Sequence, residues 1–274
     1  MLNFIIKRLL TSILVIIGVT IVIFSLVHMA PGDPVQMMAG LDAKEEDIEA
    51  FRAKMGMDKP LIVQYFNYVK GLLHLDLGKS IITNKNISDE IFFRFRNTAE
   101  LAVAGMLISS VFGIISGIIA AVNRDRWLDK TLMSLSITGI SMPSFLLALL
   151  LMLLLVSQWH LLPASGREGS PFTAEGFKYI ILPALTLGIS GTASIARLTR
   201  SSVVAVLNEE FVMTLKAKGL RRKMILFKHI LRNASLPILT MIGLDFGYLL
   251  GGAVVTETIF AWPGIGKYAM DAIS

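Results

Sequence analysis

Long apolar runs alternate along the chain with shorter polar stretches, and the lengths of the runs set the architecture. Lys7 and Arg8 precede an apolar stretch from Leu9 to Val27, long enough for the ~20 residues a helix needs to cross a bilayer core. Further runs cover about residues 98–122, 131–156, 179–198 and 236–256. Each predicts a helix, because backbone in hydrocarbon must satisfy its hydrogen bonds within the segment. The fold class is therefore an all-α polytopic membrane protein with five spans. A secretory leader also begins with basic residues and an apolar run, but no small-residue cleavage pattern precedes Pro31, and the run is read as an uncleaved first span.

The polar positions divide the runs. Pro31-Gly32-Asp33-Pro34 breaks the first helix and opens a segment reaching Arg96. Two helices are predicted there. Asp42 caps the first, Ile48, Phe51 and Met55 stripe it and Gly56 stops it; Pro60 opens the second, which carries Ile62, Tyr65, Phe66 and Val69. Asn97 with Glu100 three residues later reads as a capping box for the second span. Gly113 and Gly117 form a GxxxG pair suited to close helix contact. Trp127 suits an interface anchor and Pro143 predicts a kink. Ser134, Thr138 and Ser141 share one helix face, either as pathway lining or as hydrogen-bonding positions between helices. In the fifth span Gly243, Gly247 and Gly251 recur every fourth residue as a smooth stripe for packing. Asp245 lies on roughly the opposite face, with Tyr248, Gly252 and Thr256 beside it at helical spacing. A carboxylate near mid-membrane is costly and must face protein or water. These four residues either line a translocation pathway or serve a structural pair with a neighbouring helix.

Charge fixes the orientation. The 274 residues are 54% hydrophobic and 17% charged, with a net charge of +6. A positive balance could suggest nucleic acid, but the cations gather in short loops beside spans: Arg124, Arg126 and Lys130, then Lys216, Lys218, Arg221, Arg222, Lys223, Lys228 and Arg232. That is the positive-inside pattern, so no nucleic acid is expected, the N-terminus is cytoplasmic and the 31–96 segment is external. There are no cysteines, hence no disulfide, thiol chemistry or thiolate metal site. The phosphate loop GxxxxGK[ST], the zinc motif HExxH and the nucleophile elbow GxSxG are all missing from the sequence. No catalytic, cofactor-binding or metal-binding residue is assigned, and the chain is not expected to be an enzyme.

The polar stretch from Asn208 to Pro237 reads as a short helix followed by a basic loop. Asn208 is expected at the N-cap, with Glu209 and Glu210 at the positive end of the helix dipole and Lys216 and Lys218 at the other. Gly219 supplies the left-handed residue that closes a helix. Phe211, Val212 and Leu215 make a small apolar face. Such a helix is too short to stand alone in water and must lie against a membrane surface or another protein.

Lys216-Ala217-Lys218-Gly219-Leu220, with His229, Asn233 and Leu236-Pro237 after it, resembles the cytoplasmic EAA loop of ABC-importer permeases, in the branch that carries di- and oligopeptides or nickel. Met213-Thr214-Leu215 stands where the general motif has Glu-Ala-Ala. The stretch 60–80 with Asp76-Leu77-Gly78, the run Leu162-Pro163-Ala164-Ser165-Gly166 and, most specifically, Glu257-Thr258-Ile259-Phe260-Ala261-Trp262-Pro263-Gly264-Ile265-Gly266 resemble the same family. The resemblance implies an ABC importer type I permease fold. The organisation it implies is an N-terminal tail and first span over 1–29, an external helical segment over 30–96, and a permease core over 97–274 with a cytoplasmic coupling loop at 199–235. Such permeases continue into a sixth span that this sequence lacks, so a truncated sequence is expected. Glu210, Phe211, Leu215, Lys216, Ala217, Lys218 and Gly219 would contact an ATPase. The implied partners are a second homologous permease, two ATPase subunits that bind ATP and magnesium, an extracytoplasmic substrate-binding protein and membrane lipid. The implied place is a bacterial or archaeal plasma (inner) membrane. The cargo would be a di- or oligopeptide, with nickel as the alternative. A secondary transporter is the competitor from another class; it predicts internal repeats and broken helices around an ion site, and no repeat is apparent.

Overall fold

A computed structural model describes residues 2–29, 45–80, 83, 85–251 and 253–273. The expected break at Pro31-Gly32-Asp33-Pro34, the Asp42 cap and Gly252 lie outside the described residues, as do the side chains of Phe51 and Met55. The chain forms two compact units, Met1–Glu90 and Ile91–Ser274.

The first unit holds α1 (Leu2–Met29), α2 (Glu45–Met55) and α3 (Leu61–Leu73). Helix α1 is apolar all round, and no residue of its most apolar stretch is buried, as a lipid-facing helix requires. Gly56 ends α2 with φ +67, and Pro60 precedes α3. Helix α3 lies on α1 through polar ties: the Thr20 and Tyr65 hydroxyls are 3.0 Å apart, and His28 Nε2 is 3.1 Å from Gln64 Oε1.

The second unit holds most of α4 (Ile87–Val122), then α5 (Trp127–Ser141), α6 (Ser144–Gln158), α7 (Ala174–Leu207), α8 (Glu210–Ala217), α9 (Arg222–Leu250), α10 (Val254–Ile259) and α11 (Ile265–Ile273). Among the described residues four helices (α1, α4, α7 and α9) are long and apolar enough to cross a membrane, and α5 with α6 makes a fifth if the pair is one span. That pair is bent by 104°, a break rather than a kink. Pro143 offers no N–H and drives Met142 out of the helical region, to φ −81 and ψ 122. Ser134, Thr138 and Ser141 are exposed, and the Thr138 hydroxyl donates to the Ser134 carbonyl of its own helix at 3.1 Å rather than to another helix.

Helix α7 is the centre of the unit. Its N-cap Thr173 accepts from the Gly176 N–H at 3.1 Å, and Leu182, Ile195, Ala196 and Val203 are buried. Glycines bring α4 against it. A Cβ at Gly113 would lie 2.8 Å from Ile195 Cβ, and one at Gly117 would lie 2.6 Å from the Ala196 carbonyl oxygen. The GxxxG pair is therefore used for the close helix approach its spacing predicts. Helix α7 also runs past the 198 boundary expected from hydropathy, because Val203, Val204, Val206 and Leu207 keep packing inward. Arg200 on this extension grips Asp129 at the start of α5, Nε to Oδ1 at 2.5 Å and Nη2 to Oδ2 at 2.6 Å. Such a forked pair fixes orientation as well as distance.

Two expectations about the fifth span change. It does not open at Leu236, which lies inside α9; the helix is entered from Arg222 through a π turn at Ile225–Ile230. Nor does one helix carry Asp245 and Thr256. Helix α9 stops at Leu250 and Thr256 stands on α10. Gly251-Gly252 followed by Ala253 and two valines is a poor helix sequence. A Cβ added at Gly243 or Gly247 would meet nothing within 4 Å among the described residues, so they leave that part of the stripe uncovered.

Candidate functional site

Three places in the second unit concentrate chemistry, and the first is the helix α8 with its basic loop. Asn208 does not cap its start. It ends α7, its N–H donating to the Ala205 carbonyl at 3.2 Å, and Glu209 is the N-cap residue of α8 without a side-chain capping bond. The apolar pattern of α7 reaches Leu207 and takes Asn208 as its closing residue. At the far end Gly219 adopts φ +74. The Gly219 N–H donates to the Lys216 carbonyl at 2.9 Å and the Leu220 N–H to the Leu215 carbonyl at 3.3 Å. These are the paired bonds of a Schellman stop.

The expected apolar face of α8 splits in two. Val212 is wholly buried in a cluster with Val203, Ile225, Ile230, Ala234 and Ile238, and Leu215 packs against it. Phe211 turns outward, because neighbours in sequence point about 100° apart on a helix. Glu210, Phe211, Lys216, Ala217, Lys218 and Gly219 are exposed and Leu215 is half-buried. The anchored side therefore uses Val212 and Leu215, and the free side presents an aromatic ring, Met213 and two ammonium groups.

A second place is a cavity of about 440 Å³ between α4, α7, α9, α10 and the Met142–Ser144 break. Asp245, Tyr248 and Thr256 all line it, together with Ser109, Ser144, Ser190 and Ser194. The α9–α10 break thus brings together residues that one continuous helix was expected to align. Asp245 Oδ2 is buried and accepts no hydrogen bond from the described residues. Tyr248 is largely exposed and Thr256 is buried.

The third place was not anticipated as a bonded unit. Glu257 is completely buried. Its Oε1 accepts from the Thr98 hydroxyl at 2.7 Å and its Oε2 from the Lys267 N–H at 3.0 Å, while Thr98 Oγ1 accepts from the Ile265 N–H at 2.9 Å. Trp262, also fully buried, donates Nε1–H to the Asn97 carbonyl at 3.0 Å, and the Asn97 amide donates to the Pro263 carbonyl at 2.9 Å. Gly264 passes directly over the Glu257 carboxylate, where any Cβ would collide. The run from Glu257 to Gly266 is thus a buried clasp between α4 and the α10–α11 turn.

Asn97 and Glu100 do not form a capping box. Both lie ten or more residues inside α4, whose start at Ile87 is set by the residues before Arg96. Glu100 instead accepts from Arg167 Nη2 at 2.6 Å and from Arg96 Nε at 3.2 Å. The signals for these contacts were present but unassigned. Asp129 stands among Arg124, Arg126 and Lys130, and Glu257 opens the most specific run in the sequence.

Comparison with known proteins agrees across the whole length. Residues 113–274 match the family described as binding-protein-dependent transport system inner membrane component, and residues 1–102 match its N-terminal family. The chain is 41% identical over 273 residues to the glutathione transport system permease protein GsiC of Escherichia coli, covering 100% of this chain and 87% of that protein. The same protein of Shigella dysenteriae and of Salmonella choleraesuis matches at 41% identity with the same coverage. In three dimensions the chain resembles the MetNI methionine ABC transporter in an inward-facing conformation, with a TM-score of 0.51 at 17% identity, over 66% of this chain and 79% of that one. At that identity the likeness speaks for the fold.

Proposed function

The chain belongs to the family of inner membrane components of binding-protein-dependent transport systems and is the permease subunit of an ABC importer; from that premise we propose that it moves short peptides and is driven through α8. It is a multi-pass inner membrane protein. The relatives compared are named for glutathione, a tripeptide, which supports a peptide cargo over nickel. Hydrolysis of ATP, with its magnesium, belongs to two ATPase subunits. A second related permease completes the pore, and an external binding protein delivers cargo.

The observation that carries the drive is the build of α8. It is stopped by a Schellman turn and pinned by Val212 and Leu215, yet it leaves Glu210, Phe211, Lys216, Ala217, Lys218 and Gly219 exposed. The helix is anchored on one side and vacant on the other, as suits a rigid piece that must pass force to a partner. The adjoining basic loop supports a cytoplasmic α8, and the first helix then starts in the cytoplasm. The organisation follows as a first span over 1–29, an external segment over 30–96 and a core over 97–274 with a coupling loop at 199–235. Asp245, Tyr248 and Thr256 line the pathway, supported by the cavity they share; Gly252, grouped with them from the sequence, lies outside the described residues.

The test is reconstitution of both permeases, the ATPases and the binding protein in proteoliposomes. ATP supplied on the ATPase side should drive transport of a radiolabelled tripeptide toward that side. Uptake driven by an ion gradient without ATP would replace this reading with a secondary transporter.

A further inference from the structure

We propose that the cavity around Asp245 is a cation-selecting station, so that this permease, as well as its binding protein, discriminates peptides by charge. The inference rests on the peptide-importer reading above and adds a recognition chemistry to the same pathway. The chain carries 26 Lys and Arg residues against 20 Asp and Glu, yet no lysine, arginine or histidine is among the described residues lining this cavity. Its single carboxylate there, Asp245, has a buried oxygen that accepts no hydrogen bond from the described residues. Asp245 as a whole is half-buried, and a carboxylate with one oxygen shielded from water and unpaired is disfavoured, so the site calls for a positive partner or for water that a positive partner can displace.

Two of the six hydroxyls that line it, those of Ser109 and Ser190, are biased toward accepting. Ser109 donates its hydroxyl to the Met106 carbonyl at 3.0 Å, and Ser190 donates to the Thr186 carbonyl at 3.3 Å. With their protons committed to their own helices, these oxygens can offer only lone pairs to the cavity. A site with one carboxylate, two accepting hydroxyl oxygens and no basic side chain among its described lining fits a donor cation. An ammonium brings three N–H donors and a guanidinium five. A metal ion is a poorer match, because among the described residues no group of three His, Cys, Asp or Glu side chains comes together. At about 440 Å³ the cavity falls within the ~300–1,000 Å³ usual for small-molecule sites. A single carboxylate opposite an open wall attracts without clamping, which a station for transit needs. A glutamyl or aspartyl side chain of the cargo would meet repulsion at the same point.

The experiment uses the complete complex with binding protein saturated by one of two peptides of matched size, alanyl-lysine or alanyl-glutamate, and reads the rate of a single round of ATP-driven uptake. Because the binding protein is unchanged throughout, any change in the lysyl-to-glutamyl rate ratio belongs to the permease. The wild-type ratio should be about tenfold in favour of the lysyl peptide, the factor given by about 1.4 kcal/mol. Asp245→Asn should bring it close to one, Asp245→Glu should keep it, and Ser194→Asp, which adds a second carboxylate from α7, should raise it further. A ratio that stays constant across all the variants while the rates fall together would overturn the proposal. So would loss of assembled complex in Asp245→Asn that Asp245→Glu restores without any charge preference, which is the behaviour of a structural pair with a neighbouring subunit. If wild-type complex takes up neither peptide, the peptide-importer reading fails first, and the station falls with it.

Discussion

The buried clasp at Glu257 and the exposed helix α8 both fall in stretches read from the sequence as resembling ABC-importer permeases, and they are built on opposite plans. In the clasp the polar contacts close within the chain, with Asn97 Oδ1 the one clasp atom that is buried without a partner among the described residues. Both Glu257 oxygens are bonded, Trp262 is satisfied by Asn97, and Gly264 leaves room for the carboxylate and nothing else. In α8 the closing turn and the Val212 anchor are internal, while Phe211, Met213, Lys216 and Lys218 are exposed. A segment that satisfies itself holds a fold. A segment that is shaped but not covered is free to meet something outside the chain, the role proposed for α8. The contrast separates stability from the proposed coupling in two motifs that both carry the family resemblance, the Glu257 run more specifically.

The sharpest way to break the comparison is at the clasp. Glu257→Leu removes an acceptor from the Thr98 hydroxyl and from the Lys267 N–H. Leaving two buried donors unsatisfied should cost roughly 2–6 kcal/mol. Thermal unfolding of the detergent-extracted complex should shift down strongly and membrane yield should collapse; a stable, transport-competent variant would show the clasp to be dispensable. Next comes the anchor of α8. Val212 is fully buried, and Val212→Ala should cost about 2 kcal/mol in transfer and cavity terms, read as a lower midpoint of unfolding with fold retained.

Smaller in energy but larger in consequence is Gly219→Val. A β-branched residue at φ +74 should cost about 1 kcal/mol or more locally. Uptake and substrate-stimulated ATP hydrolysis should fall while insertion survives, and full transport by this variant would remove the case for α8 as the driven element. The weakest perturbation is the labelling pair Lys218→Cys and Lys54→Cys, introduced into a chain that has no cysteine. An impermeant thiol reagent on intact cells should reach position 54 and not 218, and the reverse pattern would invert the proposed topology.

Much of this could be read from the chain alone, and the reasons are physical. Apolar runs of spanning length give helices because lipid allows little else. Glycine spacing marked the face of α4 that makes a close helix contact, and Gly219 marked its own left-handed stop. The failures cluster where a local rule competed with tertiary structure. Asn208 looks like an N-cap until Val203 and Leu207 are seen to extend α7 up to it. Asn97 and Glu100 fit a capping box until their partners Pro263 and Arg167, distant in sequence, take them. Asp245 and Thr256 reach one cavity by a helix break and not by periodicity. The Asp129–Arg200 and Glu257–Thr98 bonds join residues 71 and 159 positions apart, separations that no window of local pattern can register.

The central claim is that the free face of α8 meets an ATPase. A photo-reactive amino acid placed at Lys218 in the assembled complex tests it most directly. Illumination should produce an adduct with the ATPase subunit, and its yield should change between nucleotide-free and ATP-bound states. Adducts confined to lipid, or unaltered by nucleotide, would contradict the account.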